Sequence, residues 1–244
     1  MSRYFIEVAY RGTRYSGFQV QENSVTIQSE LEKAFAVLHR HPVALTGSSR
    51  TDAGVHALQN YFHFDADQVH PQFVYKMNAI LPPDISVKRI VLMHDEAHSR
   101  FDAVSREYVY RFHKFKDPFA EGLSLYFPYR VRVDLMEEAA TIIAGETNFF
   151  AFAKTNSQAK HYQCRVVNSS FADAGDSMLF VIEANRFLRG MVRLLTGALV
   201  RVGREQMTLE TFRSLFSGTE KCGYAVPARG LYLKAVKFPE NYFP

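Results

Sequence analysis

The sequence predicts an α+β protein of two ferredoxin-like halves whose strands form an extended mixed and antiparallel sheet. Three observations carry this. Short blocks alternate apolar and polar residues with a period of two, other blocks repeat apolar residues at helical spacing, and the order strand, helix, strand, strand, helix, strand occurs once and then again with longer connections. Apolar residues make up 47% of the 244, and the 21 Phe and 13 Tyr are spread along the whole length, enough to pack a core. The expected halves are residues 1–100 and 101–244, with the join near 94–103.

In the first half, residues 3–10 alternate as a strand, and Thr26 to Arg40 sets Ile27, Leu31, Ala34, Phe35 and Leu38 on one helical face, with Ser24 or Thr26 as its cap. VALTG at 43–47 and HALQNYFHFDA at 56–66 read as strands. PQFVYKMNAIL at 71–81 reads as a short helix opened by Pro71, and DISVKRIVLM at 84–93 as a strand. In the second half the pattern predicts strands at 103–115, 164–173, 177–184 and 229–238. Helices are expected at 134–144, 185–203 and 208–217, and 145–162 reads as a long loop.

The 29 Lys and Arg against 25 Asp and Glu leave a net charge of +4, which favours a polyanionic partner without locating it. The N-terminus lacks a signal-peptide pattern, and no apolar run approaches the ~18 residues of a membrane span. Cys164 and Cys222 stand far apart with no close Cys or His pairing, so neither a disulfide framework nor a zinc knuckle is indicated. The expectation is a reduced, cytoplasmic chain with no membrane partner.

Three stretches carry chemistry. SSRTDAGVHA at 48–57 places Asp52 before an Ala-Gly turn, with Arg50 two residues earlier and His56 and Gln59 within reach of the same rim. A lone Asp-Ala-Gly is more often an Asx turn than a catalytic loop, but a turn needs none of the polar neighbours. In RFDAVSREYVYRFHKF, Tyr108, Tyr110 and Phe112 alternate onto one strand face. Two of these rings are expected to pack a core and one to offer a platform for an unstacked base. In NRFLRGMVRLLTGALVRVGRE, helical spacing sets Arg186, Arg189, Arg193, Arg201 and Arg204 on or near the side opposite an apolar stripe. An acid-free arginine stripe suits phosphate better than a membrane surface.

No Walker loop and no G-x-G-x-x-G occurs, so no nucleotide cofactor is expected. HDEAH at 94–98 has two His at i, i+4, but its Glu is out of place for the metalloprotease motif, and no metal is expected. A metal-dependent hydrolase centred on His56, His63, His94 and His98 is one competing reading. A non-catalytic RNA-binding protein of two ferredoxin-like units is another.

SRTDAGVHA resembles the catalytic loop of the tRNA pseudouridine synthase A family, usually written G-R-T-D-A-G-V-H. The resemblance continues through YRGTRYSGFQVQ at 10–21, RFDAVSREYVYR at 100–111, NRFLRGMVRLLTG at 185–197 and ARGLYL at 228–233. It implies the pseudouridine synthase fold with a central RNA-binding cleft, and isomerisation of uridine to pseudouridine in the anticodon stem-loop of tRNA, by a homodimer and without cofactor. It further implies that Asp52 is the catalytic aspartate, that Tyr108 stacks on the target uracil and that Arg193 pairs with Asp52. Arg50 would hold the place of the extruded nucleotide, and Leu231 or Leu233 would line the apolar wall. Apart from the resemblance, the rim position of His56 and Gln59 and the arginine stripe make His56, Gln59, Arg186 and Arg189 expected substrate contacts. Three residues depart from the pattern: Ser49 for Gly, Phe18 for the frequent Trp, and Glu107 for a base beside the Tyr. Ser49 is harmless if its φ is negative and strained if positive.

Overall fold

The computed structural model describes residues 1–155 and 159–244, so Asn156, Ser157 and Gln158 of the expected loop lie outside the described residues. Contacts divide the chain into two compact units, Met1–Val104 with Tyr232–Pro244, and Ser105–Leu231.

The first unit contains β1 (Ser2–Tyr10), α1 (Ile27–His39), β2 (Thr46–Gly47), β3 (His56–Ala66), α2 (Phe73–Ile80) and β4 (Ile85–Met93). β1 lies between β3 and β4, antiparallel to both. The other edge of β3 is shared. β2 pairs antiparallel near its end, at Phe62 and His63, while Tyr232 and Leu233 of the last strand, β9 (Leu231–Lys237), run parallel to His56 and Ala57. The helix α1 begins where a capping box allows it: Thr26 Oγ1 accepts the Ser29 N–H, and Ser29 Oγ accepts the Thr26 N–H. β2 is shorter than the apolar run 43–47 suggests because α1 takes the backbone of Leu45. Its N–H donates to Glu32 and its carbonyl accepts from Gln28, which removes both groups from a ladder.

Each face of this sheet has a different cover. Phe64 meets α1 and α2 through Phe35, whose ring lies 4.8 Å from Phe64 and 5.2 Å from Phe73. On the other face Phe5 and Tyr61 are covered by the C-terminal residues Phe238, Tyr242 and Phe243, with ring separations of 5.3–6.3 Å. Arg89 ties the cover down. It donates to Glu7 and to the Tyr61 hydroxyl, and its guanidinium sits 4.8 Å from the Phe243 ring.

The second unit contains β5 (Ser105–His113), β6 (Leu125–Tyr126), α3 (Val133–Gly145), β7 (Val166–Asp173), β8 (Ser177–Ala184), α4 (Met191–Gly203) and α5 (Leu209–Ser214). β8 lies between β5 and β7, antiparallel to both, and the two-residue β6 adds a parallel extension at Phe112 and His113. The stretch read as a loop at 145–162 holds a short 3-10 turn, Phe150–Phe152. Phe149 and Phe152 are fully buried there, against Phe216 at 5.6 and 5.0 Å.

The helix expected over 185–203 starts later. Gly190 is its N-cap with φ +74°, a left-handed conformation that glycine adopts without a Cβ penalty, and α4 runs only from Met191. Arg186 and Arg189 therefore lie on the connection before the helix, and Arg204 lies at its far cap. The five arginines do not form one helical stripe. Periodicity misled because Leu188 continues the apolar spacing and is buried, although the backbone around it is a turn.

His63 on β3 is buried between Phe5 and His98. Its Nδ1 accepts the Ser99 N–H at 3.2 Å. Burial, aided by the nearby Arg3 and by His98, pushes its pKa down to about 4, against weaker pulls from Asp65 and Asp102. The neutral ring is thus favoured in the folded state, and the stability it carries is complete above the unfolded value of about 6.5 and is lost as pH falls towards about 4. Across that window His63 contributes a loss of up to about 1.4 kcal/mol per pH unit. Urea unfolding of wild type and His63→Asn from pH 7 to pH 4 measures it: the variant should show a shallower fall, and parallel curves would refute the assignment.

Candidate active site

The loop that carries Asp52 ends in a β-turn, with the Val55 N–H bonded to the Asp52 carbonyl at 3.1 Å and Gly54 at φ +78°. A positive φ at the third turn position is what glycine supplies. The carboxylate of Asp52 is partly exposed and Arg50 is exposed, whereas Ser49, Thr51, Val55 and His56 around them are buried.

Residues 10–18 hold this loop. Phe18 N–H donates to the Thr51 carbonyl at 3.0 Å and Gly54 N–H reaches the Tyr15 carbonyl at 3.4 Å. Gly12 and Gly17 make the approach possible. A Cβ on Gly12 would stand 2.0 Å from the Val55 carbonyl oxygen, and Gly17, at φ +97°, faces Thr51, Asp52 and Ala53 at 3.1–3.4 Å. The Tyr10 hydroxyl lies 2.9 Å from Thr51 Oγ1 and accepts from Asn60 Nδ2, which also donates to the Ser49 carbonyl. Burial pushes the Tyr10 phenol up to about 12, so it remains a hydrogen-bonding hydroxyl throughout the neutral range.

His56 has another place than the rim. It is 1% exposed, its Nδ1 accepts the Gly12 N–H at 3.1 Å, and its ring stacks on Tyr232 at 4.6 Å. Its observed contacts position the loop. Gln59 likewise ties strands together, accepting from Val236 N–H and donating to the Tyr61 hydroxyl. Leu233 is fully buried opposite Ala57. Ser49 is not among the described residues with positive φ, so its Cβ brings no backbone strain. Phe18 is buried, its ring 4.9 Å from Phe62 and in the space that a Cβ on Gly47 would need.

In the second unit Tyr108, Tyr110 and Phe112 do share a face of β5, opposite Ile182, Phe180 and Met178. Tyr110 is wholly buried with its hydroxyl on the Pro227 carbonyl at 2.7 Å, and Phe112 packs 4.8 Å from it. Gly230 lies against the Tyr110 ring, and Leu231, after it, is buried. Tyr108 differs: it retains 8% exposure and meets Phe187 edge-on at 5.0 Å. Arg193, in the first turn of α4, gives its Nε to the Val226 carbonyl at 2.8 Å, which sets the plane of its guanidinium. Arg189 is exposed and Arg186 contacts His161.

His94–His98 forms a turn rather than a helix, and among the described residues no three His, Cys, Asp or Glu side chains gather as metal ligands. No helix is long and apolar enough to cross a membrane, among those described.

A family model described as tRNA pseudouridine synthase matches residues 139–239. The tRNA pseudouridine synthase A of Parabacteroides distasonis is 40% identical over 249 residues, covering 100% of this chain and 99% of that protein. This chain belongs to the tRNA pseudouridine synthase A family. The protein of the same name from Porphyromonas gingivalis is 37% identical, with 100% of both chains covered, and that of Staphylococcus aureus is 34% identical over 98% of this chain and 93% of that protein. As a member, the chain is an isomerase that converts uridine to pseudouridine, and its α+β architecture with parallel and antiparallel pairings is the pseudouridine synthase fold.

For this family member, sequence reading missed the residues that hold the loop: Tyr10, Gly12, Gly17 and Asn60. Two glycines five apart, directly after a strand, were the available signal. Gly12→Ala should destabilise the protein by about 2–4 kcal/mol, since a Cβ would overlap backbone that cannot move aside. Thermal unfolding and turnover should fall together; a variant with wild-type Tm and turnover would show that the loop does not rest on this contact.

Proposed function

We propose that the chain isomerises uridines in the anticodon stem-loop of tRNA, acting in the cytoplasm as a homodimer, with Asp52 as the catalytic carboxylate. The observation that supports this most is the Asp52 turn itself: a partly exposed aspartate on a backbone clamped by residues 12–18, within a chain of this family. The tRNA substrate follows from the names of the full-length relatives. The reaction breaks the N1–C1′ bond, turns the base, joins C5 to C1′ and releases the C5 proton. Nothing is oxidised and no group is imported, so the chemistry calls for a carboxylate beside the sugar, as nucleophile at C1′ or base at C2′.

A uridine in a stem has to leave its stack to reach such a carboxylate, and an aromatic face offsets the neighbours it loses. Tyr108 is proposed for that face because it is the least buried of the three aligned rings on β5. Its hydroxyl is proposed to receive the C5 proton, directly or through water. A phenol of ordinary pKa, about 10, needs assistance for this. Arg193 is proposed as a cation serving the catalytic carboxylate, with its Nε anchored on Val226. Arg50 is exposed beside Asp52 in sequence and suits a phosphate of the extruded nucleotide.

Tritium release from C5-labelled uridine in unmodified tRNA tests the assignments. Asp52→Asn should abolish release while tRNA binding persists, and release at the wild-type rate would sink the catalytic role. Tyr108→Phe should cleave the glycosidic bond yet fail to release the C5 proton; unchanged release would remove the proton-accepting role from the phenol.

A further inference from the structure

The arginines displaced from α4 gain a different context. Residues 147–172 and 184–204 contain no Asp or Glu, although the chain has 25 of them in 244 residues and stretches of this length would ordinarily carry several. The structure joins these two acid-free stretches. Asn185 N–H donates to the Arg165 carbonyl at 3.0 Å, Arg165 N–H returns to Asn185 Oδ1 at 2.8 Å, and Lys154 N–H donates to the Arg189 carbonyl at 2.9 Å. Arg186 Nη1 lies 2.7 Å from a ring nitrogen of His161. Lys154, Lys160, Arg165 and Arg189 are exposed; the backbone of Arg165 is held reciprocally by Asn185, and that of Lys154 is bonded to Arg189.

Elsewhere in the same unit cations meet carboxylates: Lys114 with Asp173 at 2.7 Å, Arg132 with Asp134 at 2.6 Å, Arg229 with Glu121 at 3.1 Å. Neither of the two joined stretches contains an Asp or Glu of its own. Like charges gathered this way repel one another, and a bound polyanion relieves the repulsion. The place of the cluster indicates which polyanion. Phe187, the sequence neighbour of Arg186, lies edge-on to Tyr108, so the cations begin beside the residue whose ring meets the one proposed to stack on the base.

We propose that Lys154 and the stretch 159–165, joined to 185–189, form a clamp for the RNA backbone, in which Lys154, Lys160, Arg165, Arg186 and Arg189 bind phosphates neighbouring the nucleotide extruded onto Tyr108. The clamp rests on the reading of Tyr108 as the stacking ring. It supplies affinity and position without base contacts, because phosphate contacts set register and carry no sequence information.

Each phosphate contact releases condensed counterions, so its loss flattens the plot of log affinity against log salt by about 0.9 for duplex and about 0.7 for single strand. The affinity of the full-length protein for unmodified tRNA would be measured from low to moderate salt in Arg186→Ala, in Lys160→Ala/Arg165→Ala and in Arg132→Ala, whose arginine pairs with Asp134 in the same unit. The clamp predicts a slope flatter by about one contact in the first, about two in the second and none in the third. Unchanged slopes in the first two, or equal flattening in all three, would overturn it. Binding to phosphatidylserine vesicles forms a second arm: its loss in the double variant with an unchanged tRNA slope would assign the cluster to a lipid surface instead. Tritium release by the wild type, run beside these, separates failure of the clamp from failure of the synthase reading.

Discussion

A carboxylate on a surface turn can do chemistry only if the turn keeps its place, and in this protein that depends on backbone packed directly on backbone. Gly12 and Gly17 allow the segment after β1 to lie against Thr51–Val55 with no side chain between them. Hydrogen bonds from Phe18 and Gly54, and the buried hydroxyl of Tyr10, then fix the two segments to each other. Pre-organisation of this kind is what a reacting group needs, because displacements of about 1 Å at such a site cost orders of magnitude in rate.

The sheet of the first unit supports that clamp through β3, whose first residue is His56. The strand is bonded on one edge to β1 and on the other to β9, and His56 itself is held between the Gly12 N–H and the Tyr232 ring. Further along, β3 carries Tyr61 and His63 on the face covered by the C-terminal aromatics, and Phe62 and Phe64 on the face towards the helices. Burial on both faces explains why the strand does not read as simple alternation of apolar and polar residues. It also links acid stability to the element that begins just after the Asp52 turn, through the neutral ring of His63.

In the second unit the aromatic residues of one strand face differ in burial. Tyr110 and Phe112 are core, the former anchored by a bond that also seats the chain at Pro227. Tyr108 ends that row beside Phe187 and the acid-free connection before α4. An aromatic ring and a group of cations next to one another form the combination that recognises an unstacked nucleotide and its phosphates.

The order of strands and helices was legible in the sequence because period two and period 3.6 survive wherever one face of an element is buried. The roles proposed for Asp52, Tyr108 and Arg193 rest on the long motifs around them. Position along the chain does not separate Tyr108 from Tyr110; their burial differs, 8% against 0% exposure. Three features needed tertiary structure for a common reason: their cause lies in residues distant along the chain. His56 turned inward because Gly12 offered an N–H. Phe5 is core because the C-terminal tail covers it. Arg186 and Arg189 left the helix because Gly190 takes a positive φ and the segment before it bonds to Lys154 and Arg165. Local chemistry thus determined which residues could build strands, helices and the Asp-Ala-Gly turn; long-range hydrogen bonds and packing decided which of them face the solvent, since those terms appear only when separated segments meet.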